Sequence, residues 1–159
     1  MMDEPERVEF RPDQRDRVVK AMIELARERN GWINFEPGVD PDYEPPHQSH
    51  VFSVLTGKGP DATLATWTPG ERHRRRVEPT TIGLQHAAGP KAADRLRTLG
   101  VGVPSDWRVV GDHSRRGLVV LVPDGTDHDT VLRWLVDAGT ALSPQLPLTG
   151  TWRASIYRT

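Results

Sequence analysis

The sequence predicts an α+β fold in which an antiparallel sheet carries helices on one face. Three observations lead to this prediction. Apolar residues alternate in several short segments, recur at three- and four-residue spacing in three longer ones, and are separated by glycine and proline. The length of 159 residues suits a single domain spanning 1–159, with possible sub-units at 1–70 and 80–159.

The N-terminal half is predicted to hold one helix and a few strands. Residues 12–30 carry apolar side chains at helical spacing, and Gly31 ends that pattern. Short alternating segments follow at 32–36, 51–55 and 63–67, and the last two are predicted to form a hairpin.

The C-terminal half is predicted to run strand, helix, strand, strand, helix, strand. The strands are expected at 80–86, 107–111, 117–122 and 151–157, and the first helix at 90–99. The second helix is expected to follow a cap at Asp127 or Asp129 and to carry an apolar stripe from Val131 to Leu142. This β-α-β-β-α-β order is the ferredoxin-like split βαβ arrangement. Right-handed crossovers then place the last strand at one edge, followed by the first, third and second. The N-terminal strands either extend this antiparallel sheet or pack on it.

Four apolar side chains are predicted to form the centre of the C-terminal core: Val119, Leu121, Leu135 and Trp152. The five consecutive apolar residues at 118–122 are typical of a strand in the middle of a sheet. We therefore expect all four side chains to be buried together.

Composition limits the classes of function. The chain has no cysteine, which excludes disulfides, thiolate metal sites and cysteine nucleophiles. Residues 1–17 are heavily charged without a signal-peptide core, and no apolar run is long enough to span a membrane. A cytoplasmic protein without membrane attachment is therefore expected. The net charge of -1 gives no overall attraction to nucleic acid, which is disfavoured as a partner.

No motif in the chain identifies a reaction. The sequence lacks the phosphate-binding loop, the dinucleotide-binding fingerprint, and the zinc-protease and serine-hydrolase signatures. No cofactor and no metal site are predicted. The sequence leaves open whether the protein is an enzyme.

The segment 116–122, with sequence RGLVVLV, begins like the third-strand signature of RNA-recognition motif domains. The element order of the C-terminal half also resembles theirs. That family stacks bases on aromatic side chains of its third and first strands. Here Leu118 and Val120, together with Ile82 and Leu84, occupy those places. The resemblance therefore implies a shared topology and not shared RNA binding.

One group of residues is brought together by the predicted topology. Parallel strands joined by a crossover end at the same edge of the sheet, and a helix begins there. A helix start presents unpaired amides and a partial positive charge, which suit an anion. The candidate anion-binding residues at this edge are His86, Lys91, His113, Arg115 and Arg116.

Three functions are compatible with these patterns. The leading hypothesis is a non-enzymatic binding or regulatory domain for a small anionic ligand or a protein partner. The second is nucleic-acid binding through the arginine-rich segment 72–76 and through Arg115 and Arg116. The third is a small enzyme that uses His86 or His113 as a general base. No pattern indicates the ligand, the pathway or the oligomeric state.

Overall fold

The computed structural model describes residues 3–43, 62–144 and 146–159. Within these ranges, seven strands form one sheet, two short strands form a separate ribbon, and three helices are present. No helix in the described ranges is long and apolar enough to cross a membrane. The elements are β1 (Glu6–Phe10), α1 (Asp16–Glu28), β2 (Trp32–Val39), β3 (Leu64–Thr68), β4 (Arg72–His73), β5 (Arg76–Val77), β6 (Thr80–Gln85), α2 (Ala92–Thr98), β7 (Arg108–His113), β8 (Gly117–Val122), α3 (His128–Ala141) and β9 (Leu148–Tyr157).

The strand order of the seven-stranded sheet is β1-β9-β2-β3-β6-β8-β7, and each neighbouring pair is antiparallel. The predicted α+β class is therefore confirmed, and the N-terminal strands extend the C-terminal sheet. The predicted strand at 51–55 lies outside the described residues. The segment predicted at 63–67 corresponds to β3, which pairs with β2 and β6.

The expected pairing of the last strand with the first strand of the C-terminal half is wrong. β9 lies between β1 and β2, so β2 and β3 separate it from β6. Backbone N–H and C=O groups of buried strands need partners on both sides. β2 meets this need by pairing with β9 on one side and β3 on the other. The ferredoxin-like order is therefore interrupted by an inserted strand pair, while β6, β8 and β7 keep their predicted relative order.

The strands bury the face of the sheet on which the helices pack. Trp67 of β3 lies opposite both Ile33 of β2 and Ile82 of β6, and all three side chains are fully buried. The amphipathic helix α1 adds Met22 and Leu25 to the same hydrophobic core. Removal of this apolar surface from water is the main stabilising contribution to the fold.

The inward face of β8 is the opposite of the predicted one. Alternate residues beginning at Leu118 are buried, whereas Val119 and Leu121 are half-buried on the other face. A strand that is apolar on both faces shows no alternation, so its phase could not be read from the sequence. Leu135 and Trp152 are buried in the core, as predicted.

Leu135→Ala should lower the free energy of unfolding by about 2–5 kcal/mol, because it leaves a cavity at a fully buried position of α3. Leu99→Ala is the matched control, since Leu99 at the end of α2 is 52% exposed. The Leu99→Ala variant should lose no more than about 0.5 kcal/mol of unfolding free energy. Urea denaturation measures both variants, and equal losses would contradict this packing.

Candidate anion-binding site

The ends of β6 and β7 meet the start of β8 at one end of the sheet. Leu84 of β6 pairs with Leu118 of β8, and β7 ends at His113 beside the same start of β8. Continuing the β6–β8 register by two residues places His86 opposite Arg116. The candidate residues at the ends of β6 and β7 and in the β7–β8 turn therefore lie at the same end of the sheet.

Asp112 joins the end of β7 to the start of α2. Its Oδ1 accepts a hydrogen bond from the Ala92 N–H at 3.0 Å, and its Oδ2 accepts one from the Ala93 N–H at 3.1 Å. Lys91 precedes these amides with a left-handed backbone (φ 61°) and is exposed. The backbone amides at the start of α2 were predicted to bind an external anion. They donate instead to the carboxylate of Asp112. An anion at this end must be held by side chains instead.

His86 is fully buried on the inward face of the sheet. Its Nδ1 accepts a hydrogen bond from the Ala88 N–H at 3.1 Å, so the proton of the neutral ring lies on Nε2. Within residues 3–43, 62–144 and 146–159, no group hydrogen-bonds to the buried Nε2. Burial lowers the pKa of His86, the Asp112 carboxylate opposes that decrease, and Arg95 adds to it. His86 is therefore neutral at pH 7.

The remaining candidates are exposed side chains at the same end. His113 ends β7, Arg115 and Arg116 lie in the turn that follows, and Lys91 precedes α2. Arg95, one turn further along α2, is also exposed, and the sequence analysis did not select it. We call Lys91, Arg95, Arg115 and Arg116 the cationic edge. The predicted site therefore divides into the buried His86 and the exposed side chains of Lys91, His113, Arg115 and Arg116.

Gly117 holds the β7–β8 turn close to β6. It adopts a φ of 86°, and a Cβ at this position would lie 2.1 Å from the carbonyl oxygen of Leu84. Only glycine tolerates both the backbone conformation and the close approach. The turn that carries Arg115 and Arg116 is therefore fixed against β6.

A buried hydroxyl pair lies beside His86. Extending the β3–β6 register by one residue places Thr63 opposite His86. The Thr63 N–H donates to Ser143 Oγ at 3.0 Å, and the two hydroxyl oxygens are 2.8 Å apart. The sequence signal for this pair was the alternation of Thr63 with the inward residues Ala65 and Trp67. Polar side chains thus line the inward face at this end of the sheet.

Two open clefts adjoin β2 and β9 at the same end of the sheet. Their volumes are about 500 and 510 Å³, and Trp152 lines both. The first cleft also contains Arg153, which pairs with Glu9 at 3.3 Å and with Glu36 at 3.5 Å. No member of the cationic edge lines either cleft. The candidate cations of the cationic edge therefore lie outside these clefts.

The second arginine-rich segment lies at the other end of β6. The strands β4 and β5 precede Thr80, which begins β6, whereas the cationic edge adjoins Gln85, which ends it. A strand of this length spans about 20 Å. The structure therefore separates the segment 72–76 from Arg115 and Arg116.

Among the described residues, no group of three or more His, Cys, Asp or Glu side chains could hold a metal ion. Comparisons with protein-family models, curated proteins and solved structures find no match to this chain. Its function must therefore be inferred from its own geometry.

Stability should rise as the pH increases through about 6.5, partly through His86. The pKa of His86 is lowered by burial in the folded state, so the unfolded chain, with a histidine pKa near 6.5, takes up the proton first as the pH falls. Stability is thus lost below about pH 6.5. Burial also lowers the pKa of His128, which contributes in the same direction.

Urea denaturation at several pH values checks this dependence. His86→Gln should flatten the rise, and adding His128→Gln should flatten it further. A His86→Gln variant that keeps the full rise would contradict a neutral, buried His86.

Gly117→Ala should destabilise the fold more than Gly125→Ala. Both glycines have left-handed backbones, with φ of 86° and 82°, so each substitution incurs a conformational cost of about 1–2 kcal/mol. A Cβ at Gly117 meets the backbone of β6, whereas one at Gly125 meets nothing within 4 Å. Equal losses in chemical denaturation would show that the turn is not fixed against β6.

Proposed function

We propose that this protein is a non-enzymatic binding domain that holds a small anionic ligand at the cationic edge. The observation that carries the proposal is the convergence of exposed cations from two separate segments, α2 and the β7–β8 turn. The Asp112 carboxylate beside them is already bonded to the start of α2. These two hydrogen bonds hold the carboxylate at the start of α2.

The chemistry of the cationic edge suits phosphate or carboxylate groups. Three of its four members are arginines, whose planar guanidinium groups donate paired hydrogen bonds to such anions. All four side chains are exposed, so salt should screen their attraction for a ligand. Binding of a small, multiply charged anion is therefore expected to weaken as ionic strength rises.

The environment of His86 supports binding over proton transfer. A general base needs an unprotonated ring nitrogen within reach of its substrate. In His86, Nδ1 accepts a hydrogen bond from Ala88, Nε2 carries the proton, and the side chain is fully buried. His86 is better suited to maintaining the structure beneath the cationic edge than to reacting with a ligand.

The double variant Arg115→Gln/Arg116→Gln should bind inorganic phosphate or pyrophosphate at least about tenfold more weakly, which corresponds to about 1.4 kcal/mol. Glutamine keeps most of the side-chain length and removes the charge. Isothermal titration calorimetry measures the affinity, and urea denaturation shows whether the fold is retained.

The matched control is Arg7→Gln/Arg108→Gln, which makes the same charge change at exposed positions of β1 and β7 outside the cationic edge. It should retain the affinity of the unaltered protein. The proposal fails if the unaltered protein binds neither anion at low salt, or if both variants lose affinity equally. It also fails if the Arg115/Arg116 variant loses stability but keeps its affinity.

A further inference from the structure

The ribbon formed by β4 and β5 presents four arginines around a two-residue turn. Arg72 pairs with Val77 at its base, Arg74 and Arg75 form the turn, and Arg76 begins the returning strand. All four arginine side chains are exposed. We call these four residues the arginine ribbon. The printed sequence has no acidic residue between the first and the last of them.

The base of the arginine ribbon is fixed to the rest of the molecule. A Cβ on Gly70 would lie 1.5 Å from the carbonyl oxygen of Glu78, so the two chain segments cross in direct contact. The Glu78 N–H donates to the Glu71 carbonyl at 2.9 Å. Arg29 Nη1 donates to the Gly70 carbonyl at 3.1 Å. The ribbon therefore projects its charges from a defined base and not from a loose loop.

The turn holds an arginine where a hairpin favours glycine. Arg74 has a φ of 55°, and two-residue hairpin turns place glycine or asparagine at such positions. The chain thus retains a charged side chain at the tip in spite of the backbone cost. Residues kept in this region are concentrated at functional sites, which favours a role for the Arg74 side chain.

Local charge, not the net charge of the chain, governs contacts at this tip. The chain as a whole carries -1, which disfavours nucleic acid as a partner on net charge alone. At physiological salt, however, charges separated by more than about 8 Å are largely screened. In the ribbon and its base, the four guanidinium groups outnumber the two carboxylates of Glu71 and Glu78, so a polyanion that touches the tip meets a net positive charge.

We propose that the arginine ribbon binds double-stranded DNA through its phosphates, with the turn entering the major groove. The major groove of B-form DNA admits a two-stranded ribbon, whereas the deep, narrow groove of duplex RNA does not. Guanidinium groups match phosphate geometry with paired hydrogen bonds. The contact is with the backbone, so binding should not depend on base sequence. This site is separate from the cationic edge, which lies at the other end of β6.

The full chain should be titrated into a labelled DNA duplex of about 20 base pairs at salt concentrations between about 50 and 200 mM, with fluorescence anisotropy as the readout. Four phosphate contacts predict a slope of about -3.6 for the logarithm of affinity against that of salt. Arg74→Gln/Arg75→Gln removes two contacts, so its slope should be about -1.8. Its affinity should also fall at every salt concentration.

Arg7→Gln/Arg108→Gln is the matched control, because it removes two exposed arginines of β1 and β7 that belong to neither cationic region. It should keep both the slope and the affinity for DNA. Equal losses in the two variants would show general attraction between charges and overturn the proposal. Absence of binding at the lowest salt would overturn it as well. Neither of these two results would contradict phosphate binding at the cationic edge, so the two sites are tested independently.

Two further experiments test the choice of partner and allow for a variant that does not fold. Tighter binding to polyglutamate or to duplex RNA than to duplex DNA would assign the ribbon to a different partner and overturn the proposal. If the Arg74/Arg75 variant does not fold, Arg72→Gln/Arg75→Gln leaves the strained turn residue in place. That second variant should show the same reduced slope, and an unchanged slope would refute the DNA contact.

Discussion

The architecture depends on β9, because this strand is hydrogen-bonded along both of its edges. It pairs with β1 over five positions and with β2 over seven, and so joins the two ends of the chain in the middle of one half of the sheet. Among the described strands, β1 has no other neighbour in the sheet. These pairings connect residues more than a hundred positions apart. Such non-local contacts form slowly, because the intervening chain must lose conformational entropy before the strands can pair. Once β9 is in place, β2 and β3 are positioned beside β6, and the polar end of the sheet is assembled.

That end of the sheet combines buried polar groups with exposed charges. Thr63 and Ser143 hydrogen-bond to one another, whereas the Nε2 of His86 has no partner among the residues that the structure describes. An unsatisfied buried donor costs about 1–3 kcal/mol, so the rest of the core must offset it. The Asp112 carboxylate uses its hydrogen bonds to hold α2. Buried polar groups that maintain the structure therefore lie inside, and exposed charged side chains lie on the rim.

The distribution of arginine shows why net charge is a poor guide to this molecule. A formal charge of -1 conceals two cationic regions at opposite ends of β6, one at the β7–β8 turn and one on the β4–β5 ribbon. Each is built on a turn held by a glycine in close contact with backbone, Gly117 in one case and Gly70 in the other. Because screening limits their interaction across that distance, the two regions are expected to act independently.

The sequence by itself determined the α+β class, the three helices and the inward orientation of Trp152, because these follow from the periods of helix and strand within a few residues. It also indicated that the strand ends carrying His86 and Arg116 would adjoin. Only the tertiary structure decided which strands neighbour β9, since an unpaired strand edge can accept any compatible partner. The phase of β8 was likewise undecided, because both of its faces are apolar. Two further features depend on contacts between distant segments: the hydrogen bonds from α2 to Asp112 and the Thr63–Ser143 pair. No local sequence pattern specifies which of many polar groups will meet in this way.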